Sequence, residues 1–184
     1  MFNRLDPNVK ATIIFIKLLG VKVTNSTVDD TLQNHPDWPS LLCISDSLNK
    51  WNIPNAAGKI DVLEIDQLPT PFMAFTGSIE NPLEIVTEVS EKTVTIYSTK
   101  HNKSIIENKE DFYKRWRGIY LIAEKIENSG EKDFEIKRRN SFITNLIPAS
   151  LFVLLTVISF MLLQWDIDLL EINSIISIYL QYLI

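Results

Sequence analysis

The stretch HPDWPSLLCISDSLNKWNI, residues 35–53, has two prolines among its first five residues, and a regular apolar pattern follows them. Its large apolar side chains recur at helical spacing, at Leu41, Ile44, Leu48 and Trp51. This spacing places them on one face of a helix. Pro36 and Pro39 fix the backbone angles before that helix, and its N-cap is Asp37 or Ser40. The stretch therefore predicts a helix that packs onto a core.

Two more helices are predicted on the N-terminal side of this stretch. Residues 9–19 are apolar almost all round, which is typical of a buried helix, and Gly20 ends it. Residues 24–34 have the pattern of a short helix, in which Ser26 and Asp29 have the spacing of a capping box. The N-terminal third of the chain is therefore expected to be helical.

Strand-like runs dominate after Pro54, because β-branched and aromatic residues are concentrated there between turn signals. The predicted strands cover residues 56–60, 71–76, 83–89, 93–97, 104–106 and 118–124. SEKT at residues 90–93 is expected to form a hairpin turn, and residues 109–116 form an amphipathic helix. Helices followed by strands predict an α+β domain over residues 1–125, with helices packed on a mostly antiparallel sheet.

The opening stretch also holds Cys43, the only cysteine of the chain, and His35, one of two histidines. Cys43 lacks an adjacent cation, a CxxC partner or a nearby base, so we expect it to pack rather than react. His35 has only Asp37 as a second ligand nearby, and two ligands make a poor metal site. His101 lies among turn-forming polar residues and is expected to be a solvated loop residue. No metal and no other cofactor is expected.

Composition excludes some classes of function. The formal net charge is -5 and the isoelectric point is about 5.1, and no clustered cationic face is evident, which argues against nucleic-acid binding. The acidic side chains are scattered, and no pair has a spacing that forces an acid/base site. There is no GxxxxGK[ST] motif for nucleotide binding. Lys17 interrupts the N-terminal apolar run, so no secretory signal is expected.

The C-terminal third has a different character. Residues 126–140 are rich in charge and are predicted to form a linker. Residues 141–165 contain no charged side chain and are long enough to cross a bilayer, so they are predicted to be a transmembrane helix. Lys137, Arg138 and Arg139 precede that helix and an acidic turn at 166–171 follows it, which orients the N-terminal domain toward the cytoplasm. Residues 172–184 would start a second membrane or interfacial helix, about 20 Å long.

The order of elements resembles the papain-like cysteine peptidase domain that removes double-glycine leader peptides in bacteriocin-exporting ABC transporters. The matching motifs are LLGVKVT (18–24), PSLLCISDSLNKWNI (39–53), LPTPFMAF (68–75) and EDFYKRWRGIYLIAE (110–124). HPDWPSLL, LPTPF and the W-x-G before a membrane span are similar to a subgroup fused to a vitamin K epoxide reductase-like membrane domain. The resemblance covers about two thirds of the chain.

This resemblance implies where a catalytic triad would lie. The nucleophile position at the start of the first helix corresponds to Pro7, the histidine position before the third strand corresponds to Pro82, and the aspartate position after the hairpin corresponds to Ser98. None of these side chains supplies the chemistry of a thiol protease. The resemblance therefore implies a degenerate peptidase domain without catalytic residues.

The sequence thus predicts a non-catalytic peptidase-like binding or regulatory module, tethered to the inner membrane of a bacterium and forming the N-terminal part of a larger membrane protein. Its expected partners are the membrane, a leader-like peptide, or the remainder of a membrane reductase or transporter. Two alternatives are the N-terminal part of a vitamin K epoxide reductase-like thiol oxidoreductase, and the leader-peptide-processing domain of a bacteriocin ABC exporter. Peptidase activity through Cys43 is a further alternative.

Overall fold

The computed structural model describes residues 5–76, 82–99 and 101–181, with the side chains of 141, 142, 145, 149 and 163–181 excepted. The described helices are α1 (Pro7–Leu18), α2 (Asn25–Gln33), α3 (Leu41–Lys50), α4 (Lys109–Arg115) and α5 (Phe134–Gln181). The described strands are β1 (Asn55–Lys59), β2 (Phe72–Phe75), β3 (Leu83–Val89), β4 (Thr93–Ser98), β5 (Lys103–Asn108) and β6 (Ile119–Ala123). Every helix and strand predicted between residues 9 and 124 is confirmed, with small shifts at the ends.

The described strands form one six-stranded sheet in the order β1-β6-β2-β3-β4-β5. Each neighbouring pair is antiparallel, as predicted. The β3–β4 hairpin turns at residues 90–93, where the Ser90 backbone N–H donates to the Thr93 carbonyl at 2.9 Å. β1 and β5 are the two edge strands.

Short-range signals at its two ends explain the extent of α1. Asp6 is the N-cap, and its Oδ1 accepts a hydrogen bond from the Asn8 backbone N–H at 2.8 Å. Pro7 occupies the first helical position, where a missing N–H costs nothing. Gly20, with φ 69°, follows the last turn and takes the left-handed conformation that ends many helices. The helix therefore begins two residues earlier than the predicted range.

The sheet separates two apolar clusters, so the domain has three layers. The larger cluster lies between the sheet and α1 to α3. It includes Phe15, Leu32, Ile44, Leu48, Trp51, Met73 and Ile85. The smaller cluster lies on the other face, below α4. It includes Ile65, Phe72, Val86, Ile96, Phe112 and Trp116.

A two-turn element that the sequence did not predict completes the smaller cluster. Residues Val62–Gln67 form a 3-10 helix that buries Ile65. Lys109, the first residue of α4, holds this element through Asp66, with its Nζ 2.7 and 2.8 Å from the two carboxylate oxygens. The 3-10 helix is too short to give a periodic pattern, and this explains why the sequence did not reveal it.

The segment predicted to be a charged linker, 126–140, is partly docked onto the domain. Gly130 donates its backbone N–H to the Trp51 carbonyl at 2.8 Å, and Ser129 donates its hydroxyl to the Asn52 carbonyl at 2.7 Å. α5 then begins at Phe134, within the predicted linker. Only a short part of the segment is therefore neither docked nor helical.

α5 is one helix from Phe134 to Gln181, and the acidic turn predicted at 166–171 is not formed. No glycine or proline follows Pro148, so nothing in the sequence of this region interrupts a helix. Across the described residues, no helix combines the length and the apolar character that crossing a membrane demands. Some side chains of the predicted span 141–165, and the whole of residues 182–184, lie outside what the structure describes. The chain divides into two compact units, Met1–Glu135 and Ile136–Ile184.

Candidate functional site

The first turn of α1 meets the sheet where β3 begins and β4 ends. The Lys10 ammonium donates a hydrogen bond to the backbone carbonyl of Thr99, the residue that follows β4. β3 and β4 are antiparallel, with Ile85 opposite Tyr97, so the start of one strand lies beside the end of the other. We call this place the α1–sheet junction; it comprises residues 6–10, 82–83 and 97–99.

The three positions singled out by the resemblance all belong to this junction. Pro7 is the first residue of α1 and Ser98 is the last residue of β4. Pro82 directly precedes β3, and its carbonyl accepts a hydrogen bond from the Thr76 backbone N–H at 3.0 Å. Three segments that are far apart in sequence are thus brought to one end of the sheet.

Strand alternation decides which side chain of β4 faces α1. Ile96 belongs to the cluster below α4, whereas Tyr97 packs against the cluster under α1 to α3. Because neighbouring side chains point to opposite faces, Ser98 lies on the α4 side with Ile96. Tyr97 rather than Ser98 is therefore the side chain that the end of β4 presents to the helical layer.

Asn8 is a polar residue of the junction that the sequence analysis did not single out. It is 9% exposed, and its side-chain Oδ1 has no hydrogen-bond partner. Its helical neighbours at i+3, i+4 and i+7 are Ala11, Thr12 and Phe15, and all three are fully buried. Asn8 could have been singled out from the sequence, because helical spacing places this polar residue beside Ala11 and Phe15 on a buried face.

A small cavity lies on the α4 side of the same end of the sheet. Its volume is about 90 Å³, and Ser98, Glu84, Glu107 and Arg115 are among its lining residues. Arg115 bonds Glu84, with its Nη2 at 2.8 Å from one carboxylate oxygen, and it also bonds Glu107. Burial opposes the charge of Arg115, but the hydrogen bonds to the two carboxylates outweigh burial and raise its pKa. The cavity wall is therefore a half-buried ion network.

Cys43 lies in the larger core and not at the junction surface. It is fully buried in α3, and its Sγ is 3.6 Å from the Leu32 carbonyl oxygen. Burial raises the pKa of the Cys43 thiol, and this effect exceeds the opposing hydrogen bond with Ser47. A buried thiol with a raised pKa is a poor nucleophile, in agreement with the packing role predicted for it.

His35 has one more acidic neighbour than the sequence indicated. Its Nε2 is 3.6 Å from Asp46, and its Nδ1 is 4.0 Å from Asp37. Asp46 lies in α3, eleven residues along the chain, so only folding brings it to His35. No group of three or more metal-ligating side chains that could hold an ion occurs in the described ranges. His101 is exposed, and its backbone N–H donates to Ser98 Oγ at 3.3 Å.

Comparisons of the sequence find no matching family model and no matching curated protein. Comparison of the fold with solved structures finds several that are similar to the N-terminal domain. A double glycine motif protease from an AMS/PCAT transporter, in complex with the leader peptide, has a TM-score of 0.58 and 12% identity, and the match covers 68% of this chain and 89% of that one. The peptidase domain of Streptococcus ComA, a bi-functional ABC transporter involved in a quorum sensing pathway, has a TM-score of 0.53 and 17% identity, with 65% and 90% covered.

A third match is the N-terminal peptidase C39-like domain of a toxin secretion ATP-binding protein from Vibrio parahaemolyticus. Its TM-score is 0.54 and its identity 12%, and the match covers 66% of this chain and 98% of that one. Each neighbour is matched over nearly its whole length, so the similarity extends over a complete domain. Identities this low establish the fold alone. The N-terminal domain of the chain therefore has the α+β fold of the double-glycine peptidase domains of ABC transporters, as the resemblance implied.

Proposed function

We propose that the N-terminal domain binds a leader-type peptide and belongs to the machinery that exports such peptides. One observation carries this proposal: the fold is similar to a double glycine motif protease whose structure holds its leader peptide. The three reported neighbours come from transporter or secretion proteins. An extended peptide can be bound through its main chain at the edge of a sheet, with side-chain contacts adding specificity.

The comparisons favour one of the three functions expected from the sequence. The neighbours are a protease and peptidase domains from transporter or secretion proteins, and this supports the leader-peptide-processing alternative better than a tethered module without an exporter. The reductase alternative rests on the sequence resemblance alone. We therefore propose that the domain works with an exporter. Whether it cleaves its peptide is a separate proposal.

For cleavage, we propose that this domain binds its peptide without cutting it. The first residue of α1 is Pro7, which has no nucleophilic side chain, and the thiol of Cys43 is buried with a raised pKa. Covalent catalysis needs an accessible nucleophile with a base in hydrogen-bond reach. Pro82 and Ser98 add neither a histidine nor an aspartate to the junction.

The test uses the full chain in detergent micelles and a fluorescent synthetic peptide that carries a double-glycine motif. We expect saturable binding by fluorescence anisotropy, competed by unlabelled peptide and not by a scrambled control. Mass spectrometry of the same mixture should recover the peptide intact. Cleavage that disappears in Cys43→Ala would restore the peptidase alternative, and a lack of binding above the scrambled peptide would overturn the proposal.

We also propose that residues 141–165 tether the domain to the bacterial inner membrane, with the domain on the cytoplasmic side. Uncharged sequence over this whole range and the basic residues Lys137, Arg138 and Arg139 before it support this arrangement. The described apolar side chains in the middle of the range are exposed, Phe152 at 70% and Leu155 at 61% among them. A lipid environment would cover them.

Alkaline extraction of membranes that contain the full chain tests the tether. We expect the chain to stay with the membrane pellet, and to be released when Leu155 and Ile158 are both replaced by lysine. Accessibility of the N-terminal domain to protease in inverted, but not right-side-out, vesicles checks its orientation. Release of the unaltered chain by alkali would contradict the tether without affecting the proposal on peptide binding.

A further inference from the structure

The edge strand β5 carries two neighbouring isoleucines that the described part of the chain leaves exposed. Ile105 is 39% exposed and Ile106 is 70% exposed, and their side chains point to opposite faces of the sheet. The other edge strand, β1, has the sequence NAAGK and no large apolar side chain. β5 contains no proline, and its register with β4 is unbroken. Such an edge is a template for pairing with another strand.

The main chain decides which residues of β5 face the open edge. Continued by one residue, the register of β4 and β5 places Lys92 opposite Lys109, and the Lys109 backbone N–H donates to the Lys92 carbonyl at 3.0 Å. Hydrogen-bonded pairs alternate along antiparallel strands, so every second residue before Lys109 also bonds β4. The residues between them, Ser104 and Ile106, therefore direct their backbone N–H and C=O groups away from the sheet.

The remaining residues of β5 place their side chains on the face of the sheet that α4 covers. Ile105 lies opposite Ile96, which belongs to the apolar cluster below α4. Opposite side chains share a face, and so do alternate residues of one strand, so Lys103 and Glu107 point the same way as Ile105. A lysine, an isoleucine and a glutamate thus follow one another on this face. When two such strands are antiparallel with Ile105 at the centre, each Lys103 lies opposite a Glu107.

We propose that β5 pairs antiparallel with β5 of a second copy of this chain, about a twofold axis at Ile105. In this register Ser104 of each copy lies opposite Ile106 of the other, and their outward backbone groups bond each other. The direction of the main chain and the charges of the side chains select this register independently. The contact is isologous, so it closes with the second copy. The inference does not depend on the proposed peptide binding.

The ion network beside the cavity supports this pairing of charges. Glu84 and Glu107 carry two negative charges, and Arg115 compensates one of them. Arg115 contacts Glu107 at Oε1, so Oε2 can accept a bond from a second cation. Lys103 is exposed, and it has no ion pair within the described ranges. Lys103 of the second copy therefore supplies the positive charge that balances each network.

Disulfide cross-linking of the full chain in detergent micelles tests the register. Directly opposite residues in a non-hydrogen-bonded antiparallel pair have Cα atoms about 4.5 Å apart, which a disulfide can span. The two Ile106 residues are displaced along the strands, because each lies opposite Ser104. On a Cys43→Ala background, we expect Ile105→Cys to cross-link about tenfold faster than Ile106→Cys. Random collision would favour position 106, since Ile106 is the more exposed residue.

Charge reversal tests the contact by a second route. The contact is one strand wide, so we expect a weak dimer in sedimentation of the unaltered chain in micelles. Lys103→Glu places like charges opposite each other, so the dissociation constant should rise about tenfold. Lys59→Glu, at an exposed lysine of β1, is the matched control and should leave it unchanged. A mixture of Lys103→Glu with Glu107→Lys should associate again, because each strand then meets the opposite charge.

Three results would overturn the inference while leaving the proposal on peptide binding untouched. They are a chain that stays monomeric, a dimer that forms equally well in Lys103→Glu and Lys59→Glu, and equal rates of cross-linking at positions 105 and 106. The second result would assign the association to another surface, such as the apolar segment 141–165. If the double-glycine peptide abolishes the Ile105→Cys cross-link, the edge binds peptide and the inference on a second copy is wrong.

Discussion

The Lys10 ammonium of α1 donates a hydrogen bond to the Thr99 carbonyl at the end of β4. These residues are 89 positions apart, and their contact ties the first turn of the first helix to the far half of the sheet. The α1–sheet junction is therefore held by a bond between a side chain and a backbone group. Its geometry depends on the whole domain being folded.

Removing this bond should loosen the junction. Lys10→Met keeps the length of the side chain but loses the donor, and a hydrogen bond of this kind contributes about 1 kcal/mol. We expect the free energy of unfolding, measured with urea, to fall by about that amount. Lys17→Met, at an exposed position of the same helix, is the control and should unfold like the unaltered chain. Equal losses in both variants would mean that helix charge, and not the Thr99 bond, is responsible.

Gly118 precedes β6 in a conformation that only glycine adopts easily. Its φ is 80°, and a Cβ placed on it would lie 1.9 Å from the Ile60 carbonyl oxygen, a backbone atom that cannot move aside. We expect Gly118→Ala to lower the free energy of unfolding by more than about 3 kcal/mol. The domain should then be largely unfolded at growth temperature.

Gly20 offers a matched comparison for Gly118. Its φ is 69°, also in the left-handed region, but the nearest atom to an added Cβ is the flexible Lys125 Nζ at 3.7 Å. Gly20→Ala should therefore show only the conformational cost, about 1 kcal/mol. Similar losses of stability in the two variants, measured by urea unfolding, would contradict the role assigned to the Ile60 carbonyl.

Local patterns sufficed to predict the helices and strands of the N-terminal domain. α3 follows from the spacing of Leu41, Ile44 and Leu48, because a helix of that phase buries all three on one side. The β3–β4 hairpin likewise follows from alternation on both sides of a polar turn. These features depend on residues near each other in sequence, which is why they could be read without a structure.

Features that depend on distant residues could not be predicted. Asp46 approaches His35 only after α3 has packed. The burial of Asn8 Oδ1 without a hydrogen-bond partner likewise depends on how the surrounding residues pack. The direction of Ser98 depends on strand register, and a shift of one residue moves a side chain to the other face. The resemblance singled out positions that lie at one end of the sheet, whereas the side chains facing α1 there had to come from the structure.

Glu131, in the segment after β6, contacts the N-terminus of α2, and we expect these contacts to stabilise that helix. Thr27 donates its hydroxyl to Glu131 Oε1 at 2.7 Å, and the Thr24 backbone N–H donates to Oε2 at 3.1 Å. The carboxylate thus lies at the N-terminus of α2, where the helix dipole favours negative charge. Glu131→Gln keeps the size but loses the charge, so we expect a loss of about 1 kcal/mol.

Hydrogen exchange measured by mass spectrometry can localise this effect. Amides in the first turn of α2 should exchange faster in Glu131→Gln, while those of β3 and β4 should be unchanged. Glu127→Gln is the control, since Glu127 is exposed in the same segment. Faster exchange throughout the domain would instead indicate a global loss of stability, without a specific role for Glu131 at α2.

The raised pKa of Cys43 predicts a pH dependence of stability. In the unfolded chain a cysteine thiol loses its proton near pH 8.5, whereas burial makes the folded domain keep the proton to higher pH. Between these two values the folded state binds more protons than the unfolded state, so the free energy of unfolding falls as pH rises. The limiting slope for one group is about 1.4 kcal/mol per pH unit.

Urea unfolding from about pH 7 to about pH 9.5 measures this slope, and Cys43→Ala removes the thiol that causes it. The difference between the two chains isolates Cys43 from other groups, because Tyr113, whose pKa burial also raises, is present in both. We expect the difference in free energy of unfolding between the unaltered chain and Cys43→Ala to become progressively smaller above about pH 8.5. A constant difference over the whole range would mean that the folded thiol titrates like a free one, and the buried, unreactive state assigned to Cys43 would then be wrong.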